Sequence, residues 1–216
     1  MSLTFAGGSH QTVPIELRER LAFSAEQAAV ALDRFRRQFP GSEAVLLSTC
    51  NRVELYAADE QRRGPPPPDE LAMFLAECRG VDPAAIGTVL AGDRGPAAVK
   101  HLFSVAAGLD SMVLGEPQIV AQVKQAWQLA VASGTTGRLT GELFQAALRA
   151  AKRVASETAL GRERLSIPSV AVADFAAGVF ERFDDKRVLL VGAGKMAAET
   201  LRYLRDAGAR DVRVVN

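Results

Sequence analysis

The chain is short of the residues that build metal sites and disulfide frameworks. Cys50 and Cys78 are its only cysteines, and His10 and His101 its only histidines. Two cysteines so far apart give neither a disulfide framework nor a zinc-ligand spacing, so no metal is expected. No apolar run approaches the ~20 residues of a membrane span. The N-terminus lacks the charged start and apolar stretch of a signal peptide. An excess of one charge is missing too. The net charge is +1, which gives no global electrostatic mark of a nucleic-acid binder. These absences lead to the expectation of a cytoplasmic, reduced protein, where a free thiol can serve chemistry. Apolar residues, by contrast, make up 48% of the 216 residues, ample for one large or two small domains.

The most informative stretch is Ser48-Thr49-Cys50-Asn51-Arg52-Val53-Glu54-Leu55-Tyr56. Val45–Leu47 reads as a buried strand. Val53, Leu55 and Ala57 alternate with Arg52, Glu54 and Tyr56, the pattern of a half-buried strand. Cys50 and Asn51 fall between the two, so a tight hairpin presents the thiol at its tip. A free thiol with a pKa of about 8.5 is only a few per cent thiolate at neutral pH, and nearby cations raise that fraction. Thr49, Asn51 and Arg52 supply such a setting, which points to a nucleophile; the alternative is an inert turn residue. Cys78 follows Leu71, Phe74 and Leu75 at helical spacing and reads as a packing residue.

Along the rest of the chain, Leu3–Ala6 is a candidate first strand. Ser24 with Gln27 forms a capping box before a helix whose face is Ala28, Ala31, Leu32, Phe35 and Phe39. After the hairpin, Gly64 and Pro65–Pro68 form a stiff loop. A helix over Asp69–Arg79 and a short strand over Ile86–Ala91 follow. The order strand, helix, strand, strand, helix, strand is the ferredoxin-like α+β pattern. Gly95-Pro96 opens an added helix with a core stripe of Ala98, Leu102, Val105 and Leu109, flanked by His101. A second helix carries Ile119, Val123, Trp127 and Val131, with Gln118 and Gln122 on a neighbouring face. Gly134–Gly137 breaks the chain before a long helix over Leu139–Leu160. From Arg138 to Arg164, six basic residues (Arg138, Arg149, Lys152, Arg153, Arg162, Arg164) face three acids (Glu142, Glu157, Glu163). That is a solvated face or a phosphate-contacting one.

A second domain is expected over residues 161–216, after a first over 1–160. A helix from Val170 to Phe183 leads into the apolar strand Val188–Val191. Gly192, Ala193, Gly194, Lys195, Met196 and Ala197 follow, and then a helix and the strand Val212–Val215. This is the Ala-ending dinucleotide fingerprint, in which glycines allow close approach to a pyrophosphate at a helix N-terminus. It predicts the first part of an α/β Rossmann-like domain. The residue that separates a ribose 2′-hydroxyl from a 2′-phosphate normally lies about 20 residues after the glycines, where Asn216 is the last residue.

Three segments together resemble one family. Ser48–Tyr56 resembles the catalytic loop of glutamyl-tRNA reductase. So does the run from His101-Leu102-Phe103-Ser104 through Gly108-Leu109-Asp110-Ser111 and Gly115-Glu116-Pro117-Gln118 to Lys124. Ser9–Glu19 is similar to that family's first loop, with Gln11 where a basic residue is expected. The resemblance implies NADPH as cofactor, glutamyl-tRNA as substrate, a cysteine thioester, and glutamate-1-semialdehyde as product for tetrapyrrole synthesis. It assigns Cys50 as nucleophile. Thr49, Asn51, Arg52, Ser111, Glu116, Gln118 and Gln122 go to the substrate pocket. Arg52 is suited to a carboxylate by its planar fork, and Glu116 to the substrate ammonium. His101 matches a position important for activity, as base or as orienting group. A downstream aminomutase is a partner to consider. The family's dimerisation region lies beyond Asn216, so its dimer is not carried over and a monomer is equally consistent. The same residues leave open an acyl-transfer or hydrolytic enzyme without reduction, and a non-catalytic fragment that binds tRNA or a partner.

Overall fold

Strand β1 (Ser2–Ser9) is the centre from which the first sheet is built, in a computed structural model that describes residues 2–59, 64–87, 89–161 and 166–216. The chain divides into two units, Met1–Arg162 and Glu163–Asn216. In the first, β2 (Ser42–Ser48), β3 (Arg52–Asp59) and β4 (Ala91–Arg94) join β1 in the order β2-β3-β1-β4. Every neighbouring pair is antiparallel. β1 and β2 therefore run the same way with β3 between them. Gly7 allows β1 to lie close to β3. A Cβ there would sit 2.3 Å from the Val53 carbonyl oxygen and 2.7 Å from Glu54 Cα.

Helices α1 (Ile15–Leu21) and α2 (Ala25–Gln38) connect β1 to β2. The Ser24–Gln27 capping box starts α2, with Ser24 Oγ accepting from Gln27 N at 3.2 Å and Gln27 Oε1 accepting from Ser24 N at 2.9 Å. Helix α3 (Pro68–Arg79) follows the hairpin, and Phe35 of α2 meets Phe74 of α3 edge to face at 5.5 Å. α2 packs on β2 and α3 on β1, while α5 (Pro96–Ala106) and α7 (Arg138–Glu157) pack on β1 and β3. Helix α6 (Gln118–Ala132) covers β2.

That cover corrects the reading of β3 as half-buried. All eight of its residues are buried, Arg52, Glu54 and Tyr56 included, because it is an inner strand with helices against it. Three further expectations change. The strand expected over Ile86–Ala91 is displaced to Ala91–Arg94, because Asp82 and Pro83 start a one-turn helix, α4 (Pro83–Ile86); Asp82 accepts from Ala84 N at 2.9 Å. An N-cap followed by proline outweighed the β-propensity downstream. Leu109 is 48% exposed, since α5 ends at Ala106. Val131 is 50% exposed, with Ala126 and Ala130 taking the inner positions. A strict four-residue repeat drifts around a helix of 3.6 residues per turn, so its last member leaves the core face.

In the second unit, α8 (Ile167–Val170), a π-wound turn (Ala171–Ala176) and α9 (Ala177–Val179) form one short helical run. This replaces the helix expected over Val170–Phe183. Ser166 caps it, accepting from Ser169 N at 3.3 Å, which moves its start ahead of Pro168. Strands β5 (Arg187–Val191) and β6 (Asp211–Val215) pair in parallel around α10 (Lys195–Asp206), with Val191 opposite Val215. Val172, Phe183, Leu204 and Ala209 make the small core, while Leu189, Val191, Val214 and Val215 are exposed. Among the described residues, no helix is long and apolar enough to cross a membrane.

Candidate active site

The hairpin between β2 and β3 turns through Thr49, Cys50 and Asn51, and Cys50 is exposed at its tip. Main-chain contacts hold the turn. Thr49 N donates to Arg52 O at 2.8 Å, and Thr49 Oγ1 accepts from Asn51 N and Arg52 N, each at 3.1 Å. His10 N donates to Asn51 O at 2.8 Å. Arg18 of α1 donates from Nε to Cys50 O at 3.0 Å and from Nη1 to Val13 O at 2.9 Å. A guanidinium is thus tied to the loop that carries the thiol. Cys78 is half-buried against the core, and burial pushes its thiol up. Cys50 is exposed where Cys78 is partly covered.

Behind the tip lies a buried polar cluster. Arg52, 1% exposed, donates from Nη1 to Glu54 Oε1 at 2.7 Å and to Asp110 Oδ2 at 3.0 Å, and from Nη2 to the Asp110 carbonyl. Glu54, also 1% exposed, accepts from Tyr56 OH at 2.6 Å and meets His101 Nε2 at 2.9 Å. The His101 ring stacks on Phe5 at 4.1 Å. Burial pushes the Glu54 carboxyl up, but the His101 contact and Arg52 outweigh it and hold it below its ordinary range. Burial likewise works against the Arg52 cation, and Glu54 and Asp110 more than restore it. Burial and the Glu54 charge push the Tyr56 phenol well up. His10 is pulled down by burial and by Arg52, and its Nδ1 is buried with no hydrogen-bond partner among the described residues.

Donor atoms of Glu54, His101 and Asp110 lie within 4.8 Å of one another, a spacing that could hold a cation. Arg52 Nη1 already bridges two of those carboxylates, so a positive charge of the chain itself occupies that role.

Hydrogen bonds thus join the Cys50 loop, Arg52 and His101 through Glu54 and Asp110. Ser111 follows Asp110 directly. Glu116 is buried at the end of that turn, and Gln118 opens α6. Gly108 and Gly115 adopt positive φ there, and a Cβ on Gly108 would lie 3.0 Å from Gly115 Cα. Gln122 lines a cleft of about 340 Å³ at the β2 edge, with Phe23, Leu46, Ser48 and Gln125. Sequence reasoning passed over Glu54, Tyr56, Asp110, His10 and Arg18 as site members. The signal was present for two of them: Arg52, Glu54 and Tyr56 stand at i, i+2 and i+4, hence on one face of a strand.

In the basic stretch, Arg138 pairs with Glu142 and Arg153 with Glu157, while Arg162, Glu163 and Arg164 lie outside the described residues. In the second unit, Gly192 takes φ +104° and donates its N–H to Val215 O at 2.7 Å. Among the described residues, a Cβ on Gly192 or Gly194 would meet nothing within 4 Å. Helix α10 starts at Lys195, whose side chain is outside the described ones, and has no acid in its first turn. Open space over glycines and a helix start without carboxylates fit a pyrophosphate. Ala193, Met196 and Ala197 complete the turn.

Comparison with known proteins agrees with these features. The family model described as glutamyl-tRNA(Glu) reductase, N-terminal domain, matches residues 6–158, and that of shikimate/quinate 5-dehydrogenase matches residues 174–216. Glutamyl-tRNA reductase of Rhodopirellula baltica is 46% identical over 216 residues, covering 100% of this chain and 50% of the relative. That of Rubrobacter xylanophilus is 44% identical, covering 100% and 49%. The solved glutamyl-tRNA reductase from Methanopyrus kandleri superposes with a TM-score of 0.66 at 34% identity, covering 98% of this chain and 48% of that one. The chain spans about half the length of the curated relatives it matches. With an N-terminal domain matched over residues 6–158 and the Cys50 hairpin inside it, the chain belongs to the glutamyl-tRNA reductase family.

Proposed function

We propose that this chain carries the acylating part of a glutamyl-tRNA reductase, with Cys50 as the nucleophile. The observation that carries the reading is the exposed Cys50 at a hairpin tip, tethered by Arg18 and backed by the Arg52–Glu54–His101 cluster. Cys50 Sγ attacks the glutamyl carbonyl carbon; the C–S bond forms, the ester C–O bond to the tRNA ribose breaks, and the ribose oxygen takes a proton. Thr49, Asn51 and Arg52 shape the pocket from the hairpin, and Ser111, Glu116, Gln118 and Gln122 from the turn and helix that follow. Arg52 is already bonded to Asp110, whose side chain is 27% exposed. A substrate carboxylate would therefore reach the guanidinium by displacing Asp110 from it.

The strand order, with two like-directed strands around an antiparallel one, supports the ferredoxin-like reading. The parallel β5–α10–β6 unit supports a Rossmann-like beginning that binds NADPH through Gly192–Ala197. A bound nicotinamide supplies the hydride that turns the thioester into the aldehyde. The chain's own contribution there is to receive the pyrophosphate on the turn glycines and the first N–H groups of α10.

The test is single-turnover incubation with glutamyl-labelled tRNA, followed by acid quench and thioester trapping. The expected result is a labelled protein adduct at Cys50, slowly released as glutamate when water attacks, with little aldehyde even with NADPH. Cys50→Ser should abolish the adduct. A folded chain that binds the tRNA without any Cys50 adduct would make it a binding module instead.

A further inference from the structure

Glu54 has no part in the steps above, yet three donors converge on it. Tyr56 OH donates to Oε2 at 2.6 Å, Arg52 Nη1 donates to Oε1 at 2.7 Å, and His101 Nε2 lies 2.9 Å from the same Oε1. The permanently charged Arg52 guanidinium and the Tyr56 hydroxyl both donate to it, which is the bonding pattern of an ionised carboxylate. An ionised carboxylate only accepts, so a contact of that length requires the proton on Nε2. We infer that Glu54, backed by Tyr56, is a positioning residue that fixes His101 as the Nε2–H tautomer. This leaves Nδ1 as the only ring atom that can take and return a proton.

Packing locks the arrangement. The imidazole lies over Phe5 at 4.1 Å with 13° between the planes, and over Tyr56 at 6.4 Å with 26°. Phe5 and Tyr56 are cross-strand partners, so both rings come from one sheet face. Turning the imidazole over would put carbon against the Glu54 oxygen and lose the bond. A ring nitrogen's role is set by the bond its other nitrogen makes.

The consequence for catalysis rests on the acylation reading. On that reading Nδ1 is the ring atom that receives, through intervening water, the proton released by Cys50 Sγ as the C–S bond forms. It returns the proton to the ribose oxygen as the C–O bond breaks. The Nε2 proton stays in place and Glu54 stays ionised throughout, so the step is balanced without another acid or base.

The experiment is ¹⁵N NMR of histidine-labelled chain, where only His10 and His101 contribute and a His10→Asn variant assigns them. The expected spectrum shows neutral His101 protonated at Nε2. Glu54→Gln should mix the tautomers and slow Cys50 acylation at least about tenfold, in line with general acid–base contributions of about a hundredfold or more. The glutamyl-tRNA concentration for half-maximal rate should not change. Tyr56→Phe, which keeps the ring packing, should retain the tautomer and slow acylation several-fold. A neutral His101 protonated mainly at Nδ1 in the wild-type chain would overturn the inference, and so would wild-type acylation rates in both variants. An Nε2–H tautomer that is lost in Glu54→Gln, in a chain forming no thioester at all, would uphold Glu54's hold on His101 and refute the acylation reading instead.

Discussion

Replacing Arg52 by lysine tests how much of the site's order comes from geometry and how much from charge. Lysine keeps the positive charge beside Glu54, so the carboxylate is not left alone. It cannot keep the fork. Arg52 makes three bonds: Nη1 to Glu54 Oε1, Nη1 to Asp110 Oδ2, and Nη2 to the Asp110 carbonyl. An ammonium on a shorter, differently shaped head holds one carboxylate well and loses the simultaneous grip on the turn. A hydrogen bond to a charged group contributes roughly 1.5–3 kcal/mol. Asp110 is 27% exposed and can recover water, whereas the Arg52 side chain is 2% exposed and cannot. The expected loss is therefore about 2–3 kcal/mol for Arg52→Lys. Arg52→Met, which strands the buried Glu54 charge, should cost about 3–5 kcal/mol. Urea unfolding followed by tryptophan fluorescence measures this cleanly, because Trp127 is the only tryptophan and lies on α6 of the same unit. The midpoint should fall without a change in slope. A lysine variant within about 0.5 kcal/mol of wild type, the scatter of an ordinary surface change, would refute the claim that the fork ties β3 to the 108–117 turn.

Three other outcomes are expected. Limited iodoacetamide treatment followed by peptide mapping should label Cys50 well before Cys78, since one is exposed and the other is half-buried with its thiol pushed up; preferential labelling of Cys78 in folded protein would contradict the site assignment. Glu54 has a folded-state pKa below its ordinary 4.5, so its stabilisation is present above that pH and is lost as pH falls through the lower folded value; acid unfolding curves should therefore be steeper for wild type than for Glu54→Gln, and parallel curves would argue against an ionised Glu54. Gly7→Ala would place a methyl 2.3 Å from the Val53 carbonyl oxygen and 2.7 Å from Glu54 Cα, and a backbone contact cannot swing away, so a loss of about 1–3 kcal/mol is expected by thermal unfolding.

Much of the hairpin was legible because two local signals agree there: a strand-period pattern on both sides and a polar break between them. The helix starts at Ser24 and Pro96 were legible for the same reason, since capping and proline chemistry act within a few residues. The burial of Arg52, Glu54 and Tyr56 was not legible. Their alternation gives the face they share, but only the later α5 and α7 decide that the face is covered. Asp110 escaped for a related reason: it is 58 residues from Arg52 in sequence, and no local pattern encodes that pairing. The misplaced fourth strand shows the reverse, a local signal at Asp82-Pro83 that was available and stronger than the β-propensity of the residues after it.

The anchoring of the hairpin tip makes position 50 a clean place for chemical exchange. Its neighbours are fixed through amide and carbonyl atoms, by His10 N, Arg18 Nε and the Thr49 hydroxyl, and none of these bonds uses the Cys50 side chain. Whatever is attached to that α-carbon inherits the same backbone. Serine, alanine or selenocysteine installed there would be compared on one unchanged platform, so any rate differences among them would report the side chain at position 50 rather than a rearranged loop.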